Sequence, residues 1–378
     1  MNLTTDPWIP VLMRDGKAGP VSLRQVFSEG DGIADFAVRP HERIALMRLL
    51  ICIAQAALDG PEDYEAWQEA PLLLPTAAER YLVRPEIAGA FNLFDPRWPF
   101  LQIAGLKTGK VTPASKLDFA LATGDNSTLF DNAGVGEDRA FLPAQLALML
   151  LSFQCFSVGG TIGNGWWNGQ LTVRGVLGKV GNSKHAPCTP GAMLHSFVRR
   201  ANLLETLCAN LLSKTDAATL YPRPWGQPVW ERMPVSLGDA AAIENATATF
   251  LGRLVPLSRA VLLLADGREV LLANAGLPFV PRVRRGTQRD DRPQERQGRT
   301  LPAPCRCKGH LASARRTPRA TKSRRGGRRT HADKHQRQGI SRPLGGISPW
   351  RQSQHPRYGR KRLPYPHANA HRCRPRGV

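Results

Sequence analysis

Acidic residues nearly disappear from the last 98 positions of this chain. Residues 281–378 hold 4 Asp and Glu against 28 Lys and Arg, whereas residues 1–280 hold 26 against 24. A net charge of +22 ordinarily points to nucleic acid or another anionic partner. Here it describes one segment and says nothing about the rest. No apolar run reaches the roughly 18 residues a membrane-spanning helix needs. Met1 is followed by Asn, Leu, Thr, Thr and Asp6, without the basic start and apolar stretch of a secretion signal. The expected location is the cytoplasm, away from membranes. Cysteine is scarce and unpaired in spacing. Cys52, Cys155, Cys188 and Cys208 stand singly, which suits reduced core thiols better than disulfides. Cys305, Cys307, His310 and Cys373 lack a second pair at zinc-ligand spacing, so no metal or other cofactor is expected.

The chemistry of catalysis is equally thin. The first 280 residues contain only His41, His185 and His195, none in a Ser-His, Cys-His or His-Glu-x-x-His arrangement. His195, read as lying on an apolar helix, is expected to be a satisfied structural residue. The acid pairs Glu62-Asp63 and Glu137-Asp138 open or precede predicted helices, where the macrodipole favours carboxylates without catalysis. Gly159-Gly160-Thr161-Ile162-Gly163-Asn164-Gly165 lacks the Gly-Lys-Ser/Thr ending of a P-loop. It also misses the dinucleotide fingerprint, because Asn168 stands where the third glycine is needed. The chain reads as a non-enzyme.

What is present is one foldable unit over residues 1–280, of α+β class, followed by a disordered Arg/Pro-rich tail over 281–378. A strand from Trp8 to Met13, a turn at Arg14-Asp15-Gly16-Lys17 and a second strand near Val21 come first. Ser22 and Gln25 then form a capping box. Ile44, Met47, Ile51, Ala54 and Leu58 recur at helical spacing, and Leu46, Leu50 and Ile53 widen the stripe, so this helix is buried on most sides. Asp59-Gly60 ends it, Pro61 opens the next, and Thr76 with Glu79 caps a third. Phe91 to Gln102 is aromatic and proline-broken, which predicts a packed irregular segment. Pro143 leads an apolar helix that stops at Gly159-Gly160, and Thr189-Pro190 starts another through Leu194, Phe197, Ala201, Leu204, Cys208 and Leu211. Asp266-Gly267 between two apolar runs predicts a two-residue hairpin turn.

Between the last two helices lies a glycine-rich loop that carries Arg174, Lys179 and Lys184 over residues 157–186 and no acid. Composition alone describes a flexible surface loop. Its glycines would also permit close backbone approach to a partner, with main-chain N–H groups as donors.

Specific residues carry a resemblance. They are Met1-Asn2-Leu3 with Asp6-Pro7-Trp8-Ile9-Pro10-Val11, Phe94-Asp95-Pro96 to Pro99-Phe100-Leu101-Gln102, and Val111-Thr112-Pro113 with Lys116-Leu117. To these are added Phe130-Asp131-Asn132, the glycine loop, and Tyr221-Pro222-Arg223-Pro224-Trp225 to Trp230. In order and spacing the chain resembles the CasA family, the large subunit of the type I-E CRISPR Cascade complex. The resemblance implies a mixed α/β N-terminal domain, followed in the family by a C-terminal four-helix bundle. It implies a non-catalytic subunit with CRISPR RNA, double-stranded target DNA, the other Cascade subunits and a helicase-nuclease as partners. Carried over by residue, Val158, Gly159, Gly160, Thr161, Ile162 and Gly163 would meet the protospacer-adjacent motif in the minor groove. Phe130, Asp131 and Asn132 would touch the guide-RNA end and a neighbouring subunit. The β-branched pair Thr161-Ile162 amid the glycines leaves open which motif is tolerated.

The resemblance breaks at about Leu277-Pro278-Phe279, where the family would continue toward its bundle. The switch to Arg, Pro, His and Ser is what a GC-rich gene yields when read out of frame. The bundle is expected to be absent and function impaired, with a genuine basic arm as the alternative origin of the tail. An arm of that kind would make the chain a nonspecific nucleic-acid binder resting on a scaffold. Ordering a residue costs about 1–2 kcal/mol, and the tail offers no contiguous apolar surface to offset it. Limited trypsinolysis is therefore expected to remove the tail first and leave a stable fragment ending near residue 280. A resistant C-terminal fragment would show a second folded domain.

Overall fold

A computed structural model describes residues 1–121, 131, 139–157, 162–172, 186, 188, 194–220, 224–274 and 312–314. The chain opens with β1 (Ile9–Met13), β2 (Ala18–Val21), α1 (Leu23–Ser28) and β3 (Ile33–Phe36). These strands form an antiparallel sheet in the order β2-β1-β3, with Ile9 opposite Val21 and Val11 opposite Phe36. Gly16 takes the left-handed conformation that the turn between β1 and β2 requires. The capping box at Ser22 is present, with the Gln25 side chain accepting from the Ser22 N–H at 3.0 Å.

Helix α2 (Pro40–Ala57) is the centre of the core, with buried side chains from Ala45 through Gln55 on every face. Such burial includes Arg48. The residue is only 1% exposed, and its guanidinium donates to the Leu254 and Arg253 carbonyls at 2.8 and 2.9 Å and so joins α2 to the turn of 3₁₀ helix at Leu251–Arg253. Asp59 and Gly60 then turn the chain with positive φ, and the aromatic ring of Trp225 lies so close to Gly60 that a Cβ there would sit 2.4 Å from it. Asp63 caps α3 (Tyr64–Leu82).

Two expectations fail here and later. Thr76 does not open a third helix, because α3 continues through Pro71 and Pro75. The buried stripe Ala70, Leu74, Ala78 and Leu82 holds it together, and Glu79 reaches across to Arg24 of α1 instead of capping. Nor does the helix expected from Thr189-Pro190, which lie outside the described residues, run through Leu194. Leu194–Ser196 is a strand, β8, and helix α6 (Leu203–Cys208) begins where Asn202 accepts from the Glu205 N–H at 2.8 Å. The Asn210 side chain bonds both the N–H and the carbonyl of Val198, which holds that backbone extended. His195 accordingly sits on a strand, its Nε2 2.9 Å from the Cys188 carbonyl and its ring edge-on to Phe156, a structural role.

After α4 (Pro85–Ala90) the aromatic segment packs irregularly, with Phe91 stacked on Phe100 at 5.1 Å and Leu101 at positive φ. Two buried amides fasten it. Gln102 donates to the Leu93 carbonyl at 2.7 Å and accepts from the Leu263 N–H at 2.7 Å. On α5 (Pro143–Phe156), Gln154 donates to the Leu101 and Arg259 carbonyls and accepts from the Arg259 N–H. Short strands β4 (Lys107–Thr108) and β5 (Thr112–Pro113) follow that segment, and β6 (Gly165–Trp167) and β7 (Gln170–Leu171) follow α5. Helices α7 (Lys214–Leu220) and α8 (Ala240–Ala248) lead to β9 (Ala260–Leu263) and β10 (Glu269–Ala273). The remaining sheets run β5-β10-β9 and β4-β6-β7.

The hairpin at Asp266-Gly267 is longer than the expected two residues. Leu264 N–H still bonds the Glu269 carbonyl, leaving Ala265–Arg268 to make the turn. Gly267 is needed there, since its N–H and φ of 70° serve the turn while a Cβ would meet the Phe141 carbonyl oxygen at 2.4 Å. The tail is not wholly without regular structure either. The small, uncharged Ala312–Ala314 forms β11 and pairs antiparallel with β8. Among the described residues no helix is long and apolar enough to cross a membrane.

Replacing Gln154 by Leu removes the partner of the Leu101 carbonyl and of both backbone groups of Arg259 inside the core. At about 1 kcal/mol per lost bond plus desolvation, a loss of about 3 kcal/mol is expected in urea titrations, and Gln154→Glu, which buries a charge, should cost more. An unchanged urea midpoint for the Leu variant would contradict the clamp. Burial also lowers the pKa of His41 and His195, against the opposing pull of Glu42 and Asp118 on His41 and of the Cys188 carbonyl on His195. At these two histidines the unfolded chain therefore binds more protons than the folded one as pH drops through about 6.5, and their contribution to stability should fall with it. Thermal melts across that range check this, and a flat profile would count against it.

Candidate nucleic-acid interface

The glycine loop is anchored at both ends by backbone. At its start α5 closes on Ser157, whose N–H bonds the Phe153 carbonyl and whose own carbonyl accepts from the Ala186 N–H at 2.7 Å. Cys155 and Cys188 are buried beside this anchor, and their mutual hydrogen bond, then burial, drives the Cys155 thiol upward. At its far end the Gly163 carbonyl accepts from the Asn274 N–H at 3.1 Å, and the Asn274 side chain donates to Asn164 at 3.1 Å. Gly165 fits because nothing larger would: a Cβ there would sit 2.8 Å from the Lys107 carbonyl oxygen and 2.9 Å from the Ala273 Cβ. Thr172 exchanges bonds with Gly165 at 2.8 Å in each direction. Asn168 and Gly169 both have positive φ, the pair that closes a tight hairpin between β6 and β7. That Asn-Gly signal was in the sequence, masked by reading Asn168 only as a misplaced fingerprint glycine.

Of the six loop residues predicted to meet DNA, Val158, Gly159, Gly160 and Thr161 lie outside the described residues. Ile162 is half-buried and packs on the core, while Gly163 is exposed and an added Cβ would meet nothing within 4 Å. Of the other predicted contact group, Phe130 and Asn132 lie outside the described residues. Asp131 is held by a bidentate pair with Arg139 at 2.8 and 3.0 Å, with only 12% of its side chain exposed. Loop and Asp131 are thus fixed by different elements, and nothing described joins them.

A cleft of about 440 Å³ lies elsewhere, lined by Glu86, Asp95, Arg97, Trp98, Trp230 and Glu231 among others. Its carboxylates are committed locally. Asp95 accepts from the backbone N–H groups of Trp98 and Arg97, which hold it below the usual carboxylate range. Glu86 pairs with Arg84, and Glu231 accepts from the Tyr81 hydroxyl. Tyr81 in turn accepts from the Trp230 indole at 2.8 Å, and burial followed by Glu231 pushes its phenol far up. No acid-base pair converges there. Among the described residues no group of His, Cys, Asp and Glu could hold a metal ion, and Cys305, Cys307, His310 and Cys373 lie outside them.

Comparison with known proteins adds lineage. The model of the CRISPR-associated protein Cse1 family matches residues 2–323, past the point near Phe279 where the sequence motifs end. The CasA/Cse1 protein of Thermus thermophilus is 34% identical over 242 residues, 63% of this chain and 43% of that protein. The crystal structure of Thermobifida fusca Cse1 superimposes with a TM-score of 0.60 at 28% identity, over 72% of this chain and 51% of that one. Thermus thermophilus CasA gives 0.53 at 28%, over 73% and 52%. A chain of a CRISPR RNA-guided surveillance complex shares the fold, with a TM-score of 0.56 at 19% identity. This chain spans about half the length of the relatives it matches. With the family model covering well over half of its residues, the chain belongs to the CRISPR-associated Cse1 (CasA) family.

Proposed function

We propose that this chain is a non-catalytic DNA-recognition subunit of a type I-E CRISPR surveillance complex. Its role is to read the protospacer-adjacent motif in target duplex DNA through the loop ending at Gly163, with CRISPR RNA and the other Cascade subunits as partners. Helping to recruit the helicase-nuclease belongs to the same reading, and loss of the family's bundle would impair it. The observation that carries the proposal is the state of Gly163: exposed, without a side chain, and pinned by Asn274, the residue just after β10. A bare backbone on a fixed mount can enter the minor groove, whose degenerate pattern needs no elaborate side-chain readout when guide pairing supplies the sequence information. Asp131, oriented by Arg139, supports the second contact, to the guide-RNA end and a neighbouring subunit. The cytoplasm is the compartment this role requires.

The competing reading, a nonspecific binder acting through its tail, draws on the 28 basic and 4 acidic residues after position 280. It predicts binding without motif preference that collapses with salt. Changing Gly163 to Leu separates the two, because the open space around its Cβ lets the fold survive. In the complex assembled with guide RNA, discrimination between motif-bearing and motif-lacking duplexes is expected to fall at least about tenfold, the scale of about 1.4 kcal/mol. Preserved discrimination in the Leu variant would return the loop to an ordinary surface connection.

A further inference from the structure

Beside the glycine loop stands a small face that the motif-reading proposal does not use. Trp166, three residues beyond Gly163, is on β6 and 46% exposed, while its neighbours Gly165 and Trp167 are buried. Directly opposite it in register on β4 is Lys107, exposed, and Lys110, also exposed, follows two residues past the end of that strand. The two stretches of chain that build this sheet contain no acid at all: none occurs between Asp95 and Asp118, and none between Asp138 and Glu205. Glu269, the acid on β10, is half-buried and in register with Pro113 of the adjoining sheet. An exposed indole set in register with one lysine, with a second lysine just beyond the strand and no acid in either stretch of chain, is costly to leave in water and suits an anionic partner.

We infer that the β4–β6 face is a stacking platform for single-stranded DNA, with an unpaired base on Trp166 and its phosphates on Lys107 and Lys110. A duplex hides its base faces, so an indole standing on a strand finds its best partner in an unstacked base. The ammonium groups suit phosphate, which they bind as point charges. The inference rests on the motif-reading proposal for the source of that strand: DNA opened next to Gly163 presents unpaired bases within a few residues of Trp166. Trp166 is a binding residue here, capturing one strand after it leaves the duplex.

The test uses the full chain and a DNA oligonucleotide with a single 2-aminopurine, whose fluorescence is quenched when it stacks on indole. Quenching is expected with wild type, to be retained in large part by Trp166→Phe, and to be lost in Trp166→Ala. The Ala variant should fold, since the side chain is half exposed. Lys107→Gln should reduce the slope of log affinity against log salt for single strands by about 0.7, one released counterion. Quenching that survives in Trp166→Ala would overturn the inference, because it would come from aromatics elsewhere, such as those of the tail. Equal or greater quenching with RNA of the same sequence would overturn it in favour of guide binding. Protection of Trp166 from oxidation by the other subunits without DNA would assign the face to a protein interface and also overturn it. Gly163→Leu is run in parallel: loss of motif discrimination with no quenching by wild type sinks the platform alone, while unchanged discrimination sinks the motif reading itself.

Discussion

Two buried amides decide how this domain holds together. Gln102 and Gln154 lie at 1% and 0% exposure among Leu, Phe and Val side chains, where an unsatisfied carboxamide would cost several kcal/mol. Each uses both ends of its amide on backbone. Gln102 takes carbonyls from the irregular aromatic segment and the Leu263 N–H, while Gln154 bridges Leu101 to Arg259. Irregular chain cannot satisfy its own polar groups as a helix or ladder does, so a buried irregular segment must borrow partners. The borrowed partners here join α5, the segment ending at Gln102, and β9 into one body. Beside them Arg259 is buried as well, and desolvation lowers its pKa to about 10.

That junction sets the frame of the candidate interface. β9 pairs with β10, and Asn274 at the end of β10 is the residue that grips Gly163 and Asn164. α5, fixed by Gln154, delivers Ser157 to the other end of the loop. A backbone that reads a groove gains nothing from side-chain adaptability, so the precision of its approach must come from its mounts. The core therefore reaches the loop through hydrogen bonds to main chain. Packing adds to this at Ile162, which lies half-buried against the core.

What the sequence disclosed follows the same division. Elements stabilised by local rules were legible: the Ser22 capping box, the apolar stripe of α2, Pro143 at the head of α5 and the irregular segment after Phe91. Elements decided by distant partners were not. α3 runs through Pro71 and Pro75 because Ala70, Leu74 and Ala78 are covered, and the chain before Asn202 is extended because Asn210 captures Val198. The resemblance was legible through residues that act as glue. Trp8 donates to the Leu3 carbonyl, Trp230 to Tyr81, and Trp225 covers Gly60. Of the site, only the presence of glycines could be seen beforehand. The grip of Asn274 on Gly163 spans more than a hundred residues, and the pairing of Lys107 with Trp166 depends on a strand of two residues that no periodicity announces.

The charge distribution separates affinity from recognition within one chain. Residues 1–280 are nearly neutral overall, so counterion release from that part is confined to local groups such as Lys107 and Lys110. The tail carries almost all the excess charge and can release many counterions with no fold. Its contribution to any DNA binding would be large, steeply salt-dependent and indifferent to sequence, whereas the proposed contacts through a glycine backbone or a single indole would be weak in total and selective in difference. Total affinity for DNA would accordingly follow the tail even in a chain whose recognition surface had been destroyed. Recognition appears only in differences at fixed salt, between motif and non-motif, or between a stacked and an unstacked base, because in those differences the tail cancels.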